Sequence, residues 1–370
     1  MKKILFLIHD LGHGGAEKVL VNLVNNMDPE KFNITVTALF DVGVNRQFLA
    51  PHIKYNYCFS REVPGNSHIM KFFSPKMLHK LLIKEHYDIE VAYLEGPASR
   101  VISGCCDEST KTVTWIHCTM DSEDTFRIGF RSASEARECY ASFDKAVFVS
   151  AGVKDAFLKI CPEVSDPEVL YNTNESEKII ALSKEEDTEG LSDDGCFRIV
   201  GVGKVVSNKG FDRLARIHKR LIEDGLPVHT YILGVGDKQS EIESYLDKNG
   251  LSDSFTFLGY QINPYKYVSK CDLFVCSSYA EGFSTAATEA LIVGTPVCTV
   301  EVSGMREMLG ENNEYGIVTQ NNEEALYQGI KNLLSNPQLL AHYKEKAALR
   351  GKAFSTENTV RAVEDVLGGI

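Results

Sequence analysis

The chain has 370 residues, 44% of them hydrophobic and 24% charged, with a formal net charge of −12 and ten cysteines. That length accommodates two domains, each with its own core, and the acidic balance argues against nucleic acid as a partner. No stretch reaches the roughly eighteen uninterrupted apolar residues of a membrane span. The cysteines show no C-x2-C pairing, so they read as reduced thiols of a cytoplasmic protein.

The start, Met1-Lys-Lys-Ile-Leu-Phe-Leu-Ile-His-Asp10, carries an apolar run too short for a secretion signal. A glycine turn follows at once, which predicts a fully buried strand over Ile4–His9. Leu11-Gly-His-Gly-Gly-Ala-Glu17 turns into a helix over 17–27, and Ile34–Phe40 is the next strand. This βαβ start sets Gly12, Gly14 and Gly15 where backbone can approach a ligand at a helix N-terminus, or simply forms a structural turn. Over residues 70–84, Lys76, Lys80 and Lys84 recur at i, i+4 and i+8, with Met77, Leu78, Leu81 and Leu82 on the other side. Such a helix either lies on an anionic membrane or packs on a sheet with a solvated lysine face. Ile89–Tyr93 and Thr112–Ile116 are predicted strands. Glu95 and His117 follow them, and the C-terminal ends of strands line the ligand crevice of open α/β sheets. Residues 119–131 read as a mobile loop. A last strand at Ala146–Ser150 and a helix from Gly152 close a first domain over residues 1–172, and the polar, acidic stretch 173–196 reads as a linker.

A second βαβ series starts at Arg198. Its first strand opens into Gly203-Lys204-Val-Val-Ser-Asn-Lys209-Gly210 before a helix over 211–224. Two lysines beside glycines suit a diphosphate, because compact cations neutralise charge that grows on a leaving group. His229–Gly234, Phe255–Gly259, Leu273–Cys276 and Pro296–Val300 are further predicted strands, with Gly234 in one ligand-facing turn and Tyr260 directly after another strand. The stretch Glu281-Gly282-Phe283-Ser284-Thr285-Ala-Ala-Thr-Glu289 leaves its strand and restarts as a helix capped by Ser284 or Thr285. The helix start is a phosphate seat. The carboxylates on either side of it, Glu281 and Glu289, repel phosphate and suit hydroxyls instead. Phosphate flanked by hydroxyl readers describes a nucleotide-sugar. Helices over 323–334 and 337–349 complete a second domain, 197–354, and Ser355 caps a final helix within 355–370.

The E-x7-E spacing together with the basic glycine loop resembles the retaining glycosyltransferases of glycosyltransferase family 4, which have the GT-B fold. The likeness runs along nearly the whole chain. It implies an α/β architecture of two Rossmann-like, doubly wound parallel-sheet domains facing a central cleft. The first would bind the acceptor, the second the nucleotide-sugar donor, and the last helix would cross back to the first. It further implies that Gly14 and Gly15 approach the sugar diphosphate and that His117 contacts the transferred sugar. Gly259 and Tyr260 would hold the base, Glu281 the sugar hydroxyls and Glu289 the ribose. Lys204, Lys209 and the helix start at Ser284–Thr285, with Gly203, Gly234, Gly282 and Phe283 around them, would seat the diphosphate, and Glu95 would meet an acceptor hydroxyl. The family usually has arginine at position 204. It also has a glycine at 284 and a proline at 286, where this chain has Ser284 and Ala286.

With two lysines in place and no D-x-D triplet anywhere in the chain, no cofactor and no metal is expected. The expected activity is transfer of a hexose or N-acetylhexosamine from a nucleotide-sugar, a UDP-sugar being the lean, to an acceptor hydroxyl. A lipid-linked glycan of surface polysaccharide synthesis is the acceptor expected, with peripheral contact at the inner face of the plasma membrane through residues 70–84. The alternatives are a nucleotide-sugar 2-epimerase of the same fold and an inactive glycosyltransferase-like partner subunit. A nicotinamide-dependent dehydrogenase is poorly supported, since neither glycine loop has G-x-G-x-x-G spacing.

Overall fold

Ile4 to Ile8 is apolar on both faces and entirely buried, as a central parallel strand must be. In the computed structural model it belongs to β1 (Lys2–Ile8), an interior strand of a seven-stranded sheet. The residues described are 1–12, 14–61, 69–120, 122–192 and 195–370. His13, in the predicted glycine turn, Asp121, in the predicted loop, and two positions of the predicted linker lie outside them.

The chain divides into two compact units, residues 1–174 with 356–370, and residues 175–355. In the first, β1 is followed by α1 (Gly15–Asn26), β2 (Phe32–Phe40), β3 (Lys54–Phe59), α2 (Pro75–Leu82), β4 (Ile89–Tyr93) and α3 (Pro97–Ile102). Next come β5 (Lys111–Ile116), α4 (Glu123–Phe126), α5 (Ala133–Ala141), β6 (Lys145–Phe148), α6 (Ala151–Ile160) and β7 (Pro167–Val169). The strand order is β3-β2-β1-β4-β5-β6-β7, with every pairing parallel. The order reverses between β1 and β4, which makes their C-terminal ends the switch point where ligands bind such sheets. The final helix of the chain, Thr356–Gly369, belongs to this unit. There Thr356 Oγ1 donates to Asn174 O (3.0 Å) and Lys2 Nζ to Gly368 O (2.8 Å).

The second unit runs α7 (Ser176–Leu182), β8 (Phe197–Val202), α8 (Phe211–Glu223), β9 (Val228–Leu233), α9 (Gln239–Lys248), β10 (Phe255–Gly259), α10 (Tyr265–Val268) and β11 (Leu273–Cys276). It continues with α11 (Thr285–Ile292), β12 (Val297–Val300), α12 (Met305–Leu309), β13 (Ile317–Thr319), α13 (Glu323–Ser335) and α14 (Pro337–Gly351). Its six parallel strands lie in the order β10-β9-β8-β11-β12-β13, so the switch point falls between β8 and β11. Residues 175–196, read from sequence as linker, belong to this unit. They hold the helix α7, whose Ile179 is buried. Ser192 Oγ meets the Tyr231 hydroxyl at 2.7 Å.

Between α8 and the sheet lies a buried histidine. Both ring nitrogens of His218 are occupied, Nδ1 with Thr230 Oγ1 and Nε2 with Ser254 Oγ, each at 2.9 Å. Burial pushes its pKa down to about 4. The unfolded chain, titrating near 6.5, binds a proton that the folded chain refuses. The contribution of this histidine to stability is therefore fully present above pH 6.5 and is lost as pH drops through the window from 6.5 to about 4. Unfolding free energies measured across that window should show a shallower acid slope in His218→Gln. An unchanged slope would remove this account.

Candidate functional site

Two loops leave neighbouring strands at the switch point of the second sheet and are sewn together. After β8, residues 203–210 turn through a short 3-10 segment at Ser207–Lys209 into α8. After β11, residues 277–284 turn into α11. Tyr279 N–H donates to Asn208 O (2.8 Å), Asn208 Nδ2 to Ala280 O (3.0 Å) and Ser277 Oγ to Lys209 O (3.0 Å). Gly210 sits between the loops at φ +64°, and a Cβ there would collide with Ser277 O. Only glycine fits. Beneath them Arg213, 2% exposed, donates to Ser277 O (3.1 Å), Ser278 O (2.9 Å) and Asn321 Oδ1 (2.9 Å).

This scaffold brings Lys209 and Glu281 into an ion pair, Nζ to Oε1 2.6 Å, and Ser278 Oγ donates to the same carboxylate oxygen, also at 2.6 Å. The Glu281 side chain is mostly covered and Lys209 is more open. The helix cap is Ser284, not Thr285: Ser284 Oγ accepts from Ala287 N–H at 3.3 Å. The Thr285 and Ala286 amides keep no acceptor among the described residues, so the helix start still offers donors to an anion. Lys204 is exposed, and no carboxylate pairs with its ammonium among the described residues. Glu289 lies one turn inside α11, 7% exposed, where its Oε1 accepts from the Tyr265 hydroxyl at 3.1 Å.

The adjoining strand ends are laced by main-chain bonds. Gly203 N–H donates to Leu233 O (3.0 Å), Val205 N–H to Val235 O (2.9 Å) and Gly234 N–H to Gly259 O (2.8 Å). Gly234, at φ +150°, passes so close to Gly203 O that a Cβ would strike it. Tyr260 follows as an exposed ring, 63% open. Gly282 lies in the same loop as Glu281. The Phe283 side chain is buried, edge-on to Phe354 at 6.0 Å, so what this residue can offer a ligand is main chain.

The first unit assembles its own set of predicted residues. Glu95 Oε2 accepts from the main-chain N–H of His117 at 2.9 Å, joining the ends of β4 and β5. The step from Tyr93 into this turn is strained, with Leu94 at φ +143° and Gly96 at φ +84°. The His117 ring packs against Tyr93 (4.6 Å between centroids), and burial holds its pKa down to about 3. His117 therefore stays neutral at physiological pH. Its Nε2, Tyr93 OH and Trp115 Nε1 are buried without a hydrogen-bond partner among the described residues. Across the switch point, Asp10 Oδ1 accepts from Gly12 N–H (2.7 Å), while Gly14 caps α1 with no side-chain bond and Gly15 begins the helix.

Sequence reasoning missed Ser278, Arg213 and Tyr265, which hold Glu281, the loop carbonyls and Glu289. A serine three residues before Glu281 was a weak signal. Arg213 gave none, because its partners are carbonyls more than sixty residues away in sequence. In the loop over 119–131, the structure places the short helix α4, with Ser122 and Thr125 forming a reciprocal cap and Arg127 paired with Asp124 at 2.9 Å.

Among known proteins, residues 183–350 match the family of glycosyl transferases group 1. The whole chain aligns with the N-acetylgalactosamine-N,N'-diacetylbacillosaminyl-diphospho-undecaprenol 4-alpha-N-acetylgalactosaminyltransferase of Campylobacter jejuni, 28% identical over 100% of both chains. The lipopolysaccharide core biosynthesis glycosyltransferase LpsD of Rhizobium meliloti is 28% identical over 46% of this chain and 47% of its own. The fold matches the crystal structure of Anabaena HepE in complex with UDP at a TM-score of 0.79, 19% identity and full coverage of both chains. The chain has the GT-B fold and is a glycosyltransferase.

Proposed function

We propose that this chain moves a hexose or N-acetylhexosamine from a UDP-sugar to a hydroxyl of a lipid-linked glycan, with retention at the anomeric carbon and without a metal. The observation that carries this reading is the Lys209–Glu281–Ser278 cluster beside the open start of α11, at the switch point of the second sheet. Cationic and acidic groups there stand next to each other. Lys204, Lys209 and the Thr285 and Ala286 amides suit the diphosphate. Glu281 suits sugar hydroxyls, Glu289 the ribose, and main chain around Gly259 and Tyr260 the base.

In the transfer, the bond from the anomeric carbon to the β-phosphate oxygen breaks and the acceptor oxygen bonds to the same carbon. The acceptor proton passes to the departing diphosphate, whose charge the two lysines offset. His117, with Gly14 and Gly15, is assigned to the transferred sugar, and Glu95 to an acceptor hydroxyl. A neutral His117 donates or accepts a hydrogen bond without competing for the anion. The UDP in HepE and the undecaprenyl-linked substrate named for the Campylobacter enzyme support the donor and acceptor classes. Peripheral membrane contact through residues 70–84 belongs to the same reading.

Thermal shift with UDP-Glc, UDP-Gal, their N-acetyl forms and GDP-Man tests the donor, because saturating ligand raises stability by about 2.7 kcal/mol at a hundred times Kd. Incubation of a labelled donor with and without a polyprenyl-diphosphate glycan tests the transfer. Label in the glycan supports it, whereas an epimerised nucleotide-sugar formed without acceptor overturns it. Lys204→Ala should raise the donor KM about tenfold, the worth of one charge-assisted contact. Lys204→Arg, which restores a bidentate fork, should lower it below the natural chain's value. Equal KM values in all three would exclude a donor role for this position.

A further inference from the structure

Among the described residues Arg100 is the largest fully buried side chain, 1% exposed. From α3 its Nη1 donates to Met70 O (2.9 Å) and its Nη2 to Phe73 O (2.7 Å). Its other face makes a two-point pair with Glu135, Nε to Oε2 at 3.2 Å and Nη2 to Oε1 at 2.9 Å. Arg131 Nε holds Lys71 O between them. A buried guanidinium committed to three carboxylate and carbonyl partners is costly to assemble. What it fixes is a tight turn, closed by Phe72 N–H to Ile69 O (3.1 Å), whose apex presents Phe72 to solvent at 83%.

The helix that follows is anchored just as firmly. Ser74 and Pro75 start α2, Leu78 is buried, and His79 Nε2 meets the buried carboxylate of Glu90 on β4 at 2.7 Å. These inward contacts turn Met77 and Leu81 outward, about half exposed, next to Lys76, Lys80 and Lys84. The sequence pattern set all the apolar residues on one side. The structure instead buries Leu78 and leaves Met77 and Leu81 in water. The surface is therefore a rigid apolar strip, Ile69, Phe72, Met77 and Leu81, flanked by Lys71, Lys76, Lys80 and Lys84. No carboxylate pairs with any of these four lysines among the described residues, although the neighbouring Lys54 is paired with Glu85 at 2.5 Å.

We infer that this strip is a docking face for an anionic phospholipid surface, with Phe72, Met77 and Leu81 entering the headgroup layer and the four lysines meeting lipid phosphates. Unpaired cations on a chain of net charge −12 fit a negative partner. A second copy is a poor occupant, since two-fold pairing would set the lysines of one strip against those of the other. Long lysine stems allow the ammonium to stay at the phosphates while the apolar side chains sink deeper. The inference deepens the lipid-linked acceptor reading, but its test does not depend on turnover.

The test is co-flotation of the full chain with vesicles of phosphatidylcholine alone or mixed with phosphatidylglycerol. Binding to the anionic vesicles and none to the neutral ones is expected, with partition weakening as salt rises. Phe72→Ser should cut partition about tenfold, and each of Lys76→Ser and Lys80→Ser about fivefold. These exposed positions leave the melting temperature unchanged, so lost binding is not lost folding. No binding by the natural chain, equal binding to both vesicles, or full binding by Phe72→Ser would overturn the inference. So would a dimer in sedimentation that Phe72→Ser dissolves while vesicles stay unbound. Transfer to a short, water-soluble acceptor should be the same in Phe72→Ser and the natural chain. Its absence in both would count against the transfer reading and leave the flotation result standing.

Discussion

Replacing Glu281 with alanine should lower kcat by about two to three orders of magnitude, the scale set by loss of one group that acts on the reacting centre. The cost to folding should be small, about 1 kcal/mol, because the side chain sits in a surface loop and its ion pair is partly solvated. The Lys209→Ala variant should fall by a similar factor. The double variant should be little worse than either alone, since the two side chains touch at 2.6 Å and act as a unit. Steady-state kinetics with a fixed donor and acceptor would decide. Turnover within threefold of the natural chain in Glu281→Ala would end the role given to this residue. Strict additivity in the double variant would leave the pair as two independent charges.

The largest loss of stability is expected from Arg213→Ala, about 3–5 kcal/mol. Its guanidinium is buried beneath both loops and is met by two carbonyls and an amide oxygen, with its carbon 4.4 Å from the centre of the Tyr279 ring. Alanine would leave Ser277 O and Ser278 O without donors in a closed site, and water would enter only by opening the loop. Arg213→Lys keeps the charge but has no fork to span the two carbonyls, so it should lie between the two. Urea unfolding followed by donor titration reads both consequences. A loss under 1 kcal/mol would mean that the loops hold themselves. If donor affinity survived a large loss of stability, Arg213 would be structural without positioning Glu281.

Most of the architecture was legible because central parallel strands are apolar on both faces. Ile89–Tyr93, Phe255–Gly259 and Leu273–Cys276 stand in the structure with the boundaries their composition predicts. The strand at Lys54–Phe59 was not legible. It lies at the sheet edge, pairs on one side only, and alternates tyrosines with polar residues. The helix α7 was hidden for a related reason: its apolar run Ile179–Leu182 is short, only Ile179 of that run is buried, and polar residues flank it on both sides. At the site, Lys209 and Glu281 were each found from the chemistry of a presumed ligand. Their pairing with one another was not, because residues 72 apart in sequence meet only through the parallel order of β8 and β11. The outward turn of Met77 and Leu81 likewise depends on His79 finding Glu90, a contact that helical periodicity does not contain.

The contact between Lys209 and Glu281 also bears on how the enzyme lets go. At rest the ammonium already has an anion against it, so under the proposed role of Lys209 a nucleoside diphosphate left behind after turnover would meet a built-in competitor for its cation. Each time that product loosened, the carboxylate would be in place to reclaim the lysine. A site balanced in this way would give up part of its grip on the spent donor, and the next sugar nucleotide would not wait behind the last.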